Sequence, residues 1–498
     1  METGRIKWIC AQLGAREHYA IPRALQSSGR LEMVFTEMWA GPLLRRLSFG
    51  PLRAISTRFH PDLSSAHVIS WTWSTLIHRN TGSLKHRNTG PYQRFIHEGK
   101  WFSEHVRDYL ARRKTEVRGK VVFSYDTTAL ELFQWAKARG AICVLGQMDP
   151  GRVEYELVRE EARRWPGWSK HITESPNHRL RPGGARAPER NIEVLKHRST
   201  ETPKPAVSGR APCAEIANCK SDILNPGADA YFQRREAEWK LADRIIVNSR
   251  WSLDALVQQG VPPSKIEILP LAYEINAETL KHRNTETPPS AHCHLPSSPS
   301  GPALTSDLRP LTSVFPSQVS GFSVSAFPPL RVLWLGQVNL RKGIQYLVAA
   351  ANLLQDAPVY FDVVGPIGIA GKAVKSAPPN VRFHGPVSRD RAAEWYGRSD
   401  VFVLPTISDG FAITQIEAMA HGLPVIATPN CGAVVADGVD GCIVPARDAD
   451  ALAEAIRRYL ADRKRLQTQS AAARDKSRQF SLAMLSDNLV KLEDKLNQ

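Results

Sequence analysis

In the C-terminal part of the chain, short apolar runs alternate with amphipathic stretches. Arg331–Leu335 (RVLWL), Val359–Val364, Val401–Leu404 and Pro424–Ala427 lack the strict polar alternation of a half-exposed strand, and Val381–His384 (VRFH) is a further predicted strand. Runs of this kind predict strands buried on both faces. Ile344, Leu347, Val348, Ala351 and Leu354 recur at helical spacing and predict a helix over Ile344–Leu354. The N-terminal part follows the same grammar less cleanly. Arg5–Cys10, Val121–Ser124, Ala141–Leu145, Arg244–Val247 and Ile266–Leu269 are predicted strands. Helices are predicted after Cys10 through Ala24, over Ala129–Arg139 and over Ser252–Gln259. Strands separated by helices predict parallel sheets covered on both faces, hence an α/β protein of two domains joined by a linker. The ligand site of such a fold lies in the crevice at the carboxyl ends of the strands.

Three stretches break this pattern: 77–90, about 170–222, and about 276–327, the last dense in Pro, Ser and Thr. They share a hexapeptide, LKHRNT at Leu84–Thr89 and Leu280–Thr285 and LKHRST at Leu195–Thr200. The spacing is irregular and the copies carry no apolar face to stack, so a solenoid is excluded. Such segments bury too little apolar surface to offset chain entropy and read as low-complexity inserts in surface loops, with a basic binding tag as the alternative. The expected organisation is an N-terminal domain over 1–275 carrying two inserts, a linker insert over 276–327, a C-terminal domain over 328–480, and a closing helix within 481–498.

Composition narrows the partners. The formal net charge is +16, which suits an anionic substrate, nucleic acid or an anionic membrane surface, or is simply a solvated basic exterior. The basic residues form no arginine–aromatic recognition motif, so no specific nucleic acid is expected. No run of eighteen apolar residues predicts a membrane span, and the N-terminus lacks the apolar core of a secretory signal. The seven cysteines include no CxxC pair, and His292-Cys293-His294 stands without a partner cluster. No metal is expected, and a reduced, cytoplasmic compartment fits.

Two segments carry candidate chemistry. Leu404–Thr428 reads LPTISDGFAITQIEAMAHGLPVIAT. A strand ends at Leu404, and Asp409-Gly410-Phe411 is expected to lead straight into a helix ending near Gly422. The amides of Gly410, Phe411, Ala412 and Ile413 would then face outward at a helix start, which suits a phosphate, and Gly410 would admit the ligand closely. Asp409 and Glu417 offer acceptors for hydroxyls, or else are a dipole-satisfying acid and a surface Glu. Leu335–Gly343 reads LGQVNLRKG. Arg341 and Lys342 stand there before a helix, where cations are unfavourable unless an anion joins them, so either could clamp a diphosphate.

Taken together, these motifs resemble the family 4 retaining glycosyltransferases of the GT-B fold. The signature of two acids with seven residues between them reads here DGFAITQIEAMAHGLPVI, with Asp409 for the first Glu and Glu417 as the second. The clamp reads GQVNLRKG, with Lys342 matching and Gln337 for the usual Arg. Trp239–Glu274 resembles the last strand–helix–strand of the N-terminal domain. Gly14 and Ala15 resemble its glycine loop, with His18 in the first helix. Leu145–Pro150 (LGQMDP) has Met148 where many relatives carry His, and Asp149 remains.

The resemblance implies two Rossmann-like domains facing each other across a cleft. It assigns the donor to Gly336, Arg341, Lys342, Gly410, Phe411, Ala412, Ile413 and Glu417, with His384 and Val387 in the base-binding turn. Asp409, Lys342 and Glu417 would be catalytic, and Gly14, Ala15, His18 and Asp149 would face the acceptor. It further implies a nucleotide-sugar donor, a saccharide or lipid-linked acceptor, retention at the anomeric carbon and no metal cofactor. The location it implies is cytoplasmic or peripheral to the inner face of the membrane. Leu482–Leu496 would pack back on the N-terminal domain. Two rivals stand beside it: a catalytically silent nucleotide-sugar binder and a basic surface-binding protein.

Overall fold

Among the described residues, the apolar runs pair into two wholly parallel sheets. The computed structural model describes residues 5–41, 58–72, 74–75, 90–168, 227–274 and 328–496. The bodies of the three inserts, their hexapeptides and His292-Cys293-His294 lie outside the described residues. The first sheet comprises β1 (Trp8–Gln12), β2 (Leu31–Thr36), β3 (Val68–Ser70), β4 (Val121–Tyr125), β5 (Ile142–Gly146), β6 (Arg244–Val247) and β7 (Ile266–Ile268), ordered β3-β2-β1-β4-β5-β6-β7. The second comprises β8 (Leu330–Leu335), β9 (Val359–Val364), β10 (Val381–Gly385), β11 (Val401–Leu404), β12 (Val425–Ala427) and β13 (Gly441–Ile443), ordered β10-β9-β8-β11-β12-β13. Both orders reverse direction once, between β1 and β4 and between β8 and β11. The crevice above such a reversal is where doubly wound folds bind ligands.

The first sheet is covered by α1 (Ala20–Ser27), α2 (Pro91–Arg112), α3 (Leu130–Lys137), α4 (Arg152–Arg164), α5 (Ala228–Leu241) and α6 (Arg250–Gln258). Around the second lie α7 (Ile344–Asn352), α8 (Gly371–Lys375), α9 (Arg389–Gly397), α10 (Thr414–Ala420), α11 (Ala449–Ala461) and α12 (Arg463–Ser477), and α13 (Leu482–Leu496) ends the fold. Polar caps set several helix starts: the side chains of Ser249, Asp448 and Asp462 accept from the amides of Ser252, Ala451 and Arg465. Each sheet has an apolar cluster on both faces, as strands without polar alternation require. The last helix, α13, lies against α1. Glu493 accepts from the Trp8 indole at 2.7 Å and pairs with Arg30 at 2.8 Å, joining the chain's two ends. Among the described residues no helix is long and apolar enough to cross a membrane.

The expected helical stretch after Cys10 through Ala24 is corrected. Glu17, His18 and Tyr19 all take positive φ (50°, 53° and 60°), so α1 begins only at Ala20 and His18 sits exposed in a left-handed turn. Side-chain anchors hold this otherwise unfavourable backbone. Tyr19 is buried edge-on against Trp39, the Glu17 carboxylate accepts from the Tyr125 hydroxyl at 3.2 Å, and the Gly14 amide donates to Glu37 at 2.5 Å.

Helix α4 joins the two sheets. Its fully buried Glu161 accepts from the Gln345 amide and the Tyr346 hydroxyl, both at 2.9 Å, and pairs with Arg447 at 2.6 Å. This explains why α7 is buried beyond its predicted apolar stripe, at Gln345 and Tyr346 as well. Breaking a buried, hydrogen-bonded charge leaves its partners unsatisfied. Glu161→Ala is therefore expected to lower stability by about 3–5 kcal/mol, read by urea unfolding.

Candidate functional site

The two segments singled out in the sequence emerge on either side of the reversal between β8 and β11. After β8 the chain makes a single tight turn over Leu340–Lys342, capped by the Asn339 side chain on the Lys342 amide at 3.0 Å. Gly343 follows at φ 74° and opens α7. The loop after β11 is tied back to this turn, because the Ile407 amide and the Thr406 hydroxyl donate to the Arg341 carbonyl at 2.8 and 3.2 Å. The result brings Arg341, Lys342 and Asp409 together. The Lys342 ammonium pairs directly with Asp409, and the Arg341 guanidinium lies 3.8 Å from the same carboxylate. Burial and the adjacent Arg341 pull the Lys342 ammonium down to about 7, against the opposing pull of Glu154.

Three details of the acidic loop differ from expectation. The helix begins at Thr414, so Gly410, Phe411 and Ala412 precede it as an extended loop and Ile413 is its N-cap. The Ala412 amide is not turned to a ligand but donates to the Cys431 carbonyl at 3.1 Å, while the Asp409 backbone amide donates to the Asn430 carbonyl at 2.9 Å. Gly410 admits neighbouring backbone in place of a ligand: a Cβ there would lie 2.2 Å from the Met148 carbonyl oxygen at the end of the first sheet. Phe411 packs beside Gly432 and Phe480.

Glu417 stands in α10, where its carboxylate accepts from the Tyr396 hydroxyl at 2.9 Å. His384 is the penultimate residue of β10, held by Asp362 at 2.7 Å, with its ring centre 4.2 Å from that of Trp395. Trp395 and Tyr396 are neighbours on α9, so one helix supports both His384 and Glu417, and Val387 packs in the same apolar cluster. Gly336 leaves β8 with its amide on the Val364 carbonyl at 2.9 Å, and Gln337 follows it, half-buried.

On the facing side, Gly14, Ala15 and His18 follow β1 while Asp149 follows β5. Asp149 is committed to structure: it pairs with buried Arg235 at 2.7 Å and accepts from the Gly151 amide at 2.8 Å at the start of α4. Burial pushes its carboxyl up, but Arg235 and that amide hold it below the usual carboxylate range. Sequence reasoning missed Glu154, Ser408 and Trp251. The Glu154 carboxylate lies 3.4 Å from Arg341 and accepts from the Ser408 hydroxyl at 2.9 Å, and Trp251 donates to Ser408 at 3.0 Å. Only the position of Ser408 next to Asp409 could have pointed to it. Elsewhere, His60, Asp62 and Glu274 lie close enough to share a metal ion, but Arg23 already pairs with both carboxylates.

Residues 329–462 match the family model described as glycosyl transferases group 1. The D-inositol 3-phosphate glycosyltransferase of Xylanimonas cellulosilytica is 35% identical over 162 residues, 30% of this chain and 38% of the relative. Its namesake from Streptomyces griseus is 37% identical over 102 residues, 20% of this chain and 22% of the relative. The chain thus spans little more than a third of the length of the first relative and less of the second. Among solved structures, the sucrose-phosphate synthase of Thermosynechococcus elongatus superposes with a TM-score of 0.57 at 17% identity, covering 98% of this chain and 99% of that one. Anabaena HepE in complex with UDP gives 0.52 at 12% identity, covering 98% and 100%. At such identities the likeness concerns the fold, and it extends over both sheets: the architecture is GT-B.

Proposed function

We propose that this chain is a glycosyltransferase, on the premise that residues 329–462 match the family model described as glycosyl transferases group 1. It moves a sugar from a nucleotide-diphosphate sugar to a saccharide or lipid-linked acceptor with retention at the anomeric carbon. One observation carries the reading: Arg341 and Lys342 converge with Asp409 above the strand reversal of the second sheet. Breaking a glycosyl–phosphate bond develops negative charge on the departing diphosphate. Fixed cations in a partly buried site stabilise that charge without reorganisation. Lys342 exchanges Asp409 for phosphate oxygens as the donor enters, and Arg341 gives a second set of donors. Asp409, so released, accepts from donor-sugar hydroxyls. Glu417 takes the ribose and the turn around His384 and Val387 takes the base. Solved relatives with this fold include HepE with UDP-glucose, which supports the donor class.

A thermal-shift screen of UDP-, GDP- and ADP-sugars tests the reading. Ligand at about 100 times its Kd stabilises by about 2.7 kcal/mol, a clear rise in Tm. The shift should depend on pH with a definite sign. Lys342 sits near 7, below its ordinary value, so the empty protein sheds that proton as pH rises. A bound diphosphate must then restore it, and binding weakens by up to about tenfold per pH unit above 7. The shift is expected to be smaller at about pH 8 than at about pH 7, below the range in which uracil and guanine rings lose a proton. No shift with any of the three sugars at either pH would sink the assignment.

A further inference from the structure

We propose that Glu154, on a helix of the first sheet, is the group a donor diphosphate displaces from Arg341, so that donor loading and domain docking act on one carboxylate. The inference rests on the reading of Arg341 and Lys342 as a diphosphate clamp. Glu154 and Glu161 lie seven residues apart on α4, and both meet the second sheet's side. Glu161 is sealed into a buried network, whereas Glu154 ends at the clamp itself. Its Oε2 lies 3.4 Å from Arg341 and accepts from the Ser408 hydroxyl at 2.9 Å. Arg341 also reaches the Ser408 carbonyl at 3.3 Å, and its buried Nε has no hydrogen-bond partner among the described residues.

With Lys342 protonated, the charges at the clamp cancel: Arg341 and Lys342 against Asp409 and Glu154. A diphosphate brings further negative charge into the same partly buried space, and four anionic groups cannot share two cations there. One carboxylate must leave. Asp409 arises from the same loop system as the cations and stays beside them. Glu154 arises from the other domain and separates from Arg341 whenever α4 shifts. Burial already pushes its carboxyl above the ordinary range, and Asp149 adds to this against the pull of Arg341. Glu154 is thus a positioning residue: it orients and neutralises Arg341 until the donor takes over.

Glu154→Gln keeps the shape and an acceptor for Ser408 but removes the charge. Calorimetric titration of the full chain with UDP, GDP, ADP and inorganic pyrophosphate tests the consequence. The variant should bind the preferred nucleoside diphosphate, and pyrophosphate, at least about fivefold more tightly than the parent. The corresponding nucleoside, which has no phosphate, should bind both equally, a contrast that a merely structural change would not produce. In an Arg341→Ala background the gain from Glu154→Gln should vanish, because no cation is left to compete for. Unchanged or weaker diphosphate binding by Glu154→Gln, or a gain that survives without Arg341, overturns the inference. A folded parent that binds neither pyrophosphate nor any of the three diphosphates overturns the clamp reading itself, and the inference with it.

Discussion

Lys342→Ala is expected to lower sugar transfer by about 10²–10³-fold while the protein stays folded. The expectation follows from what the side chain does and does not hold. Its ammonium touches Asp409, and among the described residues no other hydrogen bond to it is shorter than 3.5 Å. The turn that carries it is fixed by main-chain and Asn339 contacts that truncation leaves in place. Asp409 keeps Arg341 at 3.8 Å, so the substitution does not strand a buried charge. What is lost is a fixed positive charge where the leaving diphosphate develops its own. Rates of nucleoside diphosphate release, with the unfolding midpoint as a control for the fold, separate this from general damage. Release at the parental rate would remove Lys342 from the chemistry.

The frame of this site was readable in the sequence because it is local. Arg244–Val247, Val359–Val364 and Val401–Leu404 are strands with the predicted bounds, since each apolar run is closed by Asp, Asn, Gly or Pro neighbours that disfavour strands. The position of the cation pair was equally legible, since Arg341 and Lys342 stand where a strand hands over to a helix. The misread details depend on contacts distant in sequence. Nothing in DGFAIT announces that Ala412 donates to Cys431, which delays the helix to Thr414. The left-handed turn at Glu17–Tyr19 is held by Trp39 and Tyr125, not by its own residues. Glu154 sits in a helix rich in charge, where a glutamate reads as solvent-facing, and its partner Arg341 lies 187 positions further on. Periodicity reports which side of an element is apolar. It is silent on which charge across a domain boundary will meet it.

Gly343→Ala should be the most destabilising single-methyl change at the site, by at least about 3 kcal/mol, and should remove diphosphate binding with it. Two independent effects add. Gly343 takes φ 74°, which a side chain resists by about 1–2 kcal/mol. The added Cβ would also lie 1.7 Å from the Pro405 carbonyl oxygen and 2.6 Å from its carbon. That carbonyl cannot retreat. It follows β11, which is held between β8 and β12 in the second sheet, and the next residues are bonded back to Arg341. The strain must therefore be relieved by moving the turn that carries Lys342, which separates it from Asp409. Gly371→Ala provides the contrast, because a Cβ there meets nothing within 4 Å and α8 gains a better helix former. Thermal unfolding of the two variants, with pyrophosphate titrations, checks the argument. If Gly343→Ala matched Gly371→Ala in stability, the Lys342 turn would not be braced against β11, and the clamp would have to be positioned by something else.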